Sequence, residues 1–142
     1  MRQALQRVRF LIRTGVPSMY ELKIITQMAC AHQLREFEGR CENLHGHNWK
    51  IEVYVTGEEL EPNGILIDFK KIKTATEKVI DELDHKFLND MDYFKEVNPS
   101  SENIARYIFR ALGQALDSKK RVRVSRVTAW ESDTACASYT DP

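Results

Sequence analysis

Residues 46–57 alternate between apolar and polar side chains, and this alternation is the feature that most constrains the fold. The apolar positions are Trp49, Ile51, Val53 and Val55, and between them stand Lys50, Glu52, Tyr54 and Thr56. Because successive side chains of a strand point to opposite faces, the pattern predicts an amphipathic strand with one buried face. Such strands are typical of antiparallel sheets that cover a core on one side.

A second strand is predicted over residues 20–31, which are rich in β-branched and apolar side chains. Its apolar positions share one parity, which predicts the buried face: Leu22, Ile24, Met28 and Cys30. Residues 35–45 are polar and include Gly39, so we predict a loop between the two strands.

Two amphipathic helices are predicted after a turn at Pro62-Asn63-Gly64. Asp68 is the predicted N-cap of the first helix, which spans about 69–83. Its apolar face is Phe69, Ile72, Thr76, Val79, Ile80 and Leu83. The second helix starts at residues 98–101. Its apolar stripe is Ile104, Tyr107, Ile108, Ala111, Leu112 and Leu116.

Residues 121–131 and 135–140 predict a closing pair of strands. The order β-β-α-α-β-β predicts an α+β domain with both helices on one face of an antiparallel sheet. A chain of 142 residues suits a single domain, which we place at 19–142. Residues 1–18 are rich in arginine and are predicted to be a disordered extension. A start codon assigned too early and a transit-type peptide are the alternatives.

Composition excludes several classes of protein. Lys+Arg and Asp+Glu both number 21, which argues against a nucleic-acid binder that works through bulk positive charge. No apolar run approaches the roughly 18 residues of a membrane span. The three cysteines are irregularly spaced, so we expect no disulfide framework and a cytoplasmic protein. Cys30 and Cys136 are predicted to be small buried residues.

Three of the four histidines are spaced to meet at one metal ion. His45 and His47 point to the same face of the second strand, since they are two residues apart. His32 ends the first strand on the parity of its buried face. If the two strands form a hairpin, three imidazoles converge, as in a catalytic zinc site with an open fourth position. The motif His45-Gly46-His47 alone is a weak signal of a metal site. His32 alone is also weak, because a lone histidine at a strand end is usually structural.

Cys41 precedes His45 by four residues in a polar loop. Two roles are open on these residues alone. It can be a fourth ligand that closes a structural Cys-His₃ site, or a low-pKa thiolate beside the metal that acts as base or nucleophile.

Two further polar positions are candidates for chemistry. Asp84 and His85 follow the first helix, whose C-terminus favours a charged imidazolium; a surface histidine that caps the helix is the alternative. Glu131 follows Trp130 at the end of a strand, where a carboxylate can accept two N–H bonds from a planar heterocycle. On these residues alone, a solvated turn position is the simpler interpretation of Glu131. Trp49 and Trp130 are predicted to be core or interface residues.

These motifs together resemble the 6-pyruvoyltetrahydropterin synthase superfamily. They are AHQL at 31–34, CENLHGHNW at 41–49, LDH at 83–85, NPSSEN at 98–103 and WESDTACASY at 130–139. The resemblance covers about residues 19–140 and leaves the first 18 residues outside it. Two positions depart from many relatives, which have a small or hydroxyl residue at Cys30 and a Pro-Thr-type pair at Ser100-Ser101.

The resemblance implies a role for each candidate residue. His32, His45 and His47 would hold Zn²⁺, and Cys41 would be catalytic and not a ligand. Asp84 and His85 would complete the acid–base apparatus. Glu131 would anchor the pterin ring of the substrate.

The resemblance also implies an assembly and a reaction. The fold would be the tunnelling fold, whose sheets assemble into a barrel, usually as a homohexamer with sites between subunits. Three residues separate Cys41 from His45, as in the carboxytetrahydropterin type of queuosine biosynthesis. The expected substrate is 7,8-dihydroneopterin triphosphate, which would lose triphosphate and acetaldehyde. A pyruvoyl-type synthase and a non-enzymatic zinc-stabilised module are the alternatives.

Overall fold

Four antiparallel strands form one sheet in the order β1-β2-β3-β4. The computed structural model of the chain describes residues 18–36, 43–116 and 121–142. The strands run from Tyr20–His32 (β1), His45–Gly57 (β2), Arg123–Ser132 (β3) and Ala135–Tyr139 (β4). The predicted class, an antiparallel sheet with helices on one face, is confirmed.

The helices lie between the two strand pairs in the chain. They are α1 at Phe69–Asp81, a 3₁₀ turn at Leu88–Asp90, α2 at Asp92–Glu96 and α3 at Ser101–Leu116. α3 packs on β3 and β4, and α1 packs on α3 and β1. The sequence analysis missed the 3₁₀ turn and α2, because segments of three and five residues are too short to show a helical period. Among the described residues, no helix is long and apolar enough to cross a membrane.

Asp68 caps α1 as predicted, because its side chain accepts a hydrogen bond from Lys70 N–H at 2.8 Å. The helix ends at Asp81, two residues before the predicted end, and the turn that follows still buries Leu83 completely.

The predicted buried face of β2 forms the centre of the core. Its four apolar side chains have no exposed surface: Trp49, Ile51, Val53 and Val55. The matching residues of β1 and the stripe of α3 complete the cluster: Ile24, Met28, Cys30, Ile104, Ile108, Leu112 and Leu116. The periodic patterns therefore predicted the core facing of the main elements correctly.

Two predicted core positions are wrong. Phe69 is 50% exposed. It is the first residue of α1, and the buried positions of this helix begin only at Ile72. Cys136 is also exposed. It stands on the edge strand β4 opposite Trp130, which in turn pairs with Lys50, so all three occupy the sheet face that the helices leave uncovered.

The pairing of β1 with β2 sets the geometry of the candidate site. The two strands are in register over their whole length, so His32 stands opposite His45 and Cys30 stands opposite His47. The predicted hairpin is confirmed. It brings His32 of β1 and His45 and His47 of β2 to the same end of the sheet.

Gly57 offers a test of this packing. A methyl group at Gly57 would lie 2.7 Å from Leu66 Cδ1 and 2.8 Å from the Arg121 carbonyl oxygen. We expect Gly57→Ala to lower the free energy of unfolding by about 1–3 kcal/mol, because overpacking forces neighbouring atoms apart.

Gly113 is the matched control for that prediction. It lies inside α3, and no described atom outside its own helix turn comes within 4 Å of a methyl group there. Gly113→Ala should raise stability by about 0.5–1 kcal/mol, since alanine favours the helix. Urea denaturation measures both, and equal effects of the two substitutions would contradict the packing around Gly57.

Candidate metal centre and its surroundings

Three imidazoles and one carboxylate converge at one end of the sheet. The groups belong to His32, His45, His47 and Glu131, and one possible ligand atom from each lies within 4.8 Å of all the others. His32 is almost completely buried, whereas the other three side chains are partly exposed. The residues therefore form a cluster that can hold a metal ion and that a small ligand can reach.

The contacts of His32 and His45 indicate which of their nitrogens face the centre. The Nδ1 atom of His32 lies 2.7 Å from the Pro99 carbonyl oxygen, and that of His45 lies 2.7 Å from the Asn43 carbonyl oxygen. A carbonyl only accepts hydrogen bonds, so each Nδ1 carries the hydrogen. In neutral rings, each Nε2 then presents a lone pair.

Those two Nε2 atoms are 3.0 Å apart. Two lone pairs at that distance repel each other unless a cation lies between or beside them. A shared proton or a metal ion would remove the repulsion. Metal-bound histidines typically donate their other N–H to a carbonyl or carboxylate, and both of these rings meet that condition. The donor set, imidazole nitrogens with a carboxylate, suits zinc.

Glu131 lies inside this cluster. Its Oε1 atom is 2.9 Å from Nε2 of His47, and its Oε2 atom accepts a hydrogen bond from Ser101 Oγ at 3.1 Å. The sequence analysis did not group Glu131 with the histidines, because the two segments are far apart in the chain. The missing signal was the register of β3 on β2, which pairs Trp130 with Lys50 and so puts Glu131 at the His47 end.

Asp84 and His85 lie outside the cluster but form the hydrogen bond that adjacency alone did not establish. His85 Nδ1 is 3.0 Å from Asp84 Oδ1. The same carboxylate oxygen accepts from Ala29 N–H at 2.7 Å, and the Ala29 carbonyl accepts from His85 N–H at 2.6 Å. His85 is a surface histidine, as the alternative predicted, but it does not cap α1, because the C-cap is Glu82.

The backbone holds His85 in an uncommon conformation. Its φ of 58° is left-handed, which costs a non-glycine residue about 1–2 kcal/mol. The two hydrogen bonds that tie residues 84 and 85 to Ala29 offset this cost. The result is an imidazole that is 79% exposed, with its Nδ1 held by a carboxylate and its ring directed toward solvent in the single chain.

An open cavity of about 620 Å³ lies beside the edge of the sheet, and both His47 and His85 line it. Cys30 also lines this cavity. Burial raises the pKa of the Cys30 thiol to about 12, with a smaller contribution from the Asp84 charge. Cys30 is therefore a neutral thiol near the site and is unsuited to act as a thiolate base. A larger groove of about 1090 Å³ is lined by residues of α1 and α3 and contains none of the predicted site residues.

Cys41, the predicted catalytic cysteine, lies outside the described residues, as do residues 1–17 of the predicted extension. The structure therefore describes six of the seven predicted site residues, and it brings four of those six together.

Residues 21–142 match the family described as 6-pyruvoyl tetrahydropterin synthase. The chain belongs to this family. The match begins within the first strand and includes every candidate site residue named above. The resemblance inferred from the motifs is thereby confirmed, and the pterin synthase family accounts for the fold.

Individual relatives agree with this assignment. A Synechocystis protein named 6-carboxy-5,6,7,8-tetrahydropterin synthase is 38% identical over 60% of this chain and 68% of its own length. A Drosophila melanogaster protein named 6-pyruvoyl tetrahydrobiopterin synthase is 33% identical over 96% of this chain and 82% of its own. The structure of 6-pyruvoyl tetrahydropterin synthase from Caenorhabditis elegans superposes with a TM-score of 0.77 at 27% identity, covering 88% of this chain and 97% of that one.

The Asp84 contacts predict a pH dependence of stability. The hydrogen bond from Ala29 N–H, and then the contact with His85, hold the pKa of the Asp84 carboxyl below its ordinary value. A carboxyl with a lowered folded-state pKa stabilises the fold above its unfolded pKa of about 3.9, and this contribution is lost as the pH falls through the folded-state value. In metal-free protein, Asp84→Asn should therefore lose less stability than wild type on acidification below about pH 4. Urea midpoints measured at several pH values test this, and parallel profiles would contradict it.

Proposed function

We propose that this chain is a zinc-dependent lyase of the 6-carboxytetrahydropterin synthase type. It would convert 7,8-dihydroneopterin triphosphate to 6-carboxy-5,6,7,8-tetrahydropterin, with release of acetaldehyde and triphosphate, in queuosine biosynthesis. The observation that carries the metal-dependent part is the pair of facing Nε2 atoms of His32 and His45, 3.0 Å apart. The three-residue gap between Cys41 and His45 favours the carboxy type within the family.

The proposed metal ligands are His32, His45 and His47. When bound, zinc supplies a Lewis acid that lowers the pKa of hydroxyl groups on the substrate side chain. The carbonyl oxygens of Pro99 and Asn43 keep the His32 and His45 rings in the tautomer that presents Nε2. These two contacts orient the ligands before any metal arrives.

Two groups would move protons. Cys41 as a thiolate would remove a proton near the ring, as the resemblance implies. His85 would act from the other side, with Asp84 holding its Nδ1 hydrogen at 3.0 Å so that Nε2 is left to take up and release a proton. The exposed position of His85 suits a group that serves a substrate bound between subunits.

Glu131 is the proposed anchor of the pterin ring. A carboxylate accepts two N–H bonds in the geometry that a guanidine-like heterocycle offers. Ser101 Oγ donates to Oε2 of the carboxylate, and Oε1 lies 2.9 Å from His47 Nε2, on the side of the histidines. Glu131 lies in the same cluster as the three imidazoles, so its carboxylate would also be able to help hold the metal.

We also propose a homo-oligomer, with a hexamer expected from the family. β1 and β4 are the edges of the sheet. Along the half of β1 before Ala29, no described residue pairs with the outer edge, and Ile25 there is 54% exposed. An open strand edge with an exposed apolar side chain favours pairing with a second chain. The single domain at 19–142 and a cytoplasmic location remain proposals.

A pyruvoyl-type synthase is the second candidate, since the Drosophila relative of that name aligns with 96% of the chain. Identification of the products from zinc-loaded protein and dihydroneopterin triphosphate tests the proposal. We expect acetaldehyde and a 6-carboxy pterin. A pyruvoyl pterin without acetaldehyde would replace the carboxy assignment, and absence of any turnover would favour a zinc-stabilised module without activity.

The histidines predict zinc content. His32→Ala, His45→Ala and His47→Ala should each lower bound zinc sharply, because each substitution removes one of the three proposed imidazole ligands. His85→Ala is the matched control and should retain zinc, since His85 lies outside the cluster. Elemental analysis of the four purified variants measures this. Full zinc occupancy in the first three would overturn the assignment.

Cys41→Ala separates the two roles of the thiol. If Cys41 is the base, the variant should keep its zinc and lose turnover by about 10²–10⁴-fold, the usual contribution of a general base. Zinc content and activity are measured on the same preparation. Joint loss of metal and activity would instead make Cys41 a ligand.

A further inference from the structure

One stretch of chain, residues 84–98, closes the outer edge of β1 at its metal-site end. Ala29 N–H donates to the Asp84 carboxylate at 2.7 Å, and the Ala29 carbonyl accepts from His85 N–H at 2.6 Å. Two residues further on, Ala31 N–H donates to the Lys86 carbonyl at 2.9 Å. These are the bonds that a neighbouring strand would make at every second residue.

Two asparagine side chains continue this series beyond the end of the β1–β2 ladder. Asn89 Oδ1 accepts from Gln33 N–H at 2.9 Å, and its Nδ2 donates to the Gln33 carbonyl at 2.7 Å. Asn98 makes the same pair of bonds to Arg35, at 2.8 and 2.7 Å. A side-chain amide carries both a donor and an acceptor. Each asparagine side chain therefore supplies the one donor and one acceptor that a backbone residue of a fifth strand would supply.

The ladder between β1 and β2 ends at the pair His32 and His45. The backbone that follows His32 is consequently held by the two amides, together with the Arg35 guanidinium, which donates to the Phe94 and Val97 carbonyls. The same segment also holds the ring, because the Pro99 carbonyl directly after Asn98 accepts from His32 Nδ1 at 2.7 Å. Asn103 Nδ2 donates to the Asn98 carbonyl at 2.8 Å, which ties this segment to the start of α3.

We propose that Asn89 and Asn98 are positioning residues for the metal site. Their amides replace a fifth strand and hold the end of β1, so that the buried His32 imidazole keeps its place against His45. The inference rests on the proposed function in one respect, namely that His32 is a metal ligand. The asparagines act on His32 through the backbone and through the adjoining Pro99 carbonyl, which is its direct outer partner. Loss of such a partner typically changes metal affinity by about 10–100-fold.

The test is zinc affinity, measured by competition with a chelator on the full chain. Asn89→Ala and Asn98→Ala should each weaken zinc binding about tenfold or more. The effect should be larger for Asn89, whose bonds are less exposed. Asn63→Ala is the matched control, because it removes an amide that bonds only within a remote turn. Val79→Ala controls for lost core packing, and both controls should keep wild-type zinc affinity.

Two further measurements do not depend on activity. In cobalt-substituted protein, the absorption spectrum reports ligand geometry, and it should shift in the Asn89 and Asn98 variants but not in the controls. Amide hydrogen exchange in the wild-type protein needs no variant to fold. The Gln33 and Arg35 amides should exchange slowly, since each donates to an asparagine side chain.

The outcomes distinguish this inference from the proposed function. Absence of zinc binding by wild type would overturn both. Zinc binding by wild type, with asparagine variants no weaker than a Val79→Ala protein of equal melting temperature, would overturn the positioning role alone. Rapid exchange of the Gln33 and Arg35 amides in wild type would also overturn it.

Discussion

The register of β1 on β2 is the constraint on which the candidate site depends. It sets His32 opposite His45 and Cys30 opposite His47. A slip by one residue would turn every side chain of β1 to the other face and remove His32 from the cluster. The core disfavours that slip, because it would turn the buried side chains Ile24, Met28 and Cys30 away from the core. The same strand register therefore both buries the apolar side chains and places the imidazoles.

Electrostatics favour a cation at the same end of the sheet. The Nε2 atoms of His32 and His45 lie 3.0 Å apart, where the lone pairs of two neutral rings would repel each other, and the Glu131 carboxylate lies beside His47. Folding brings these groups together, so a bound cation and the folded state stabilise each other. The protein prepares the arrangement with backbone carbonyls, which hold two rings in the tautomer that a metal requires.

Much of the fold could be predicted from local patterns. The alternation in β2, the parity of β1, the stripe of α3 and the cap at Asp68 each depend on residues within a few positions of one another, where strand and helix periods determine facing. The failures have equally local causes. Phe69 stands at a helix end, Cys136 stands on an edge strand, and the short helix α2 has too few residues to show a period.

The sequence by itself determined that three histidines would share a face at one end of two paired strands, because side-chain direction in a strand alternates with a period of two. Only the tertiary structure decided what surrounds them. The Pro99 carbonyl that holds His32 is 67 residues away in the chain, and Ser101 is 30 residues from the Glu131 carboxylate that it holds. The two asparagines reach the backbone that follows β1 from 56 and 63 residues away. Contacts of this kind depend on how whole elements pack, and no local pattern of residues encodes them.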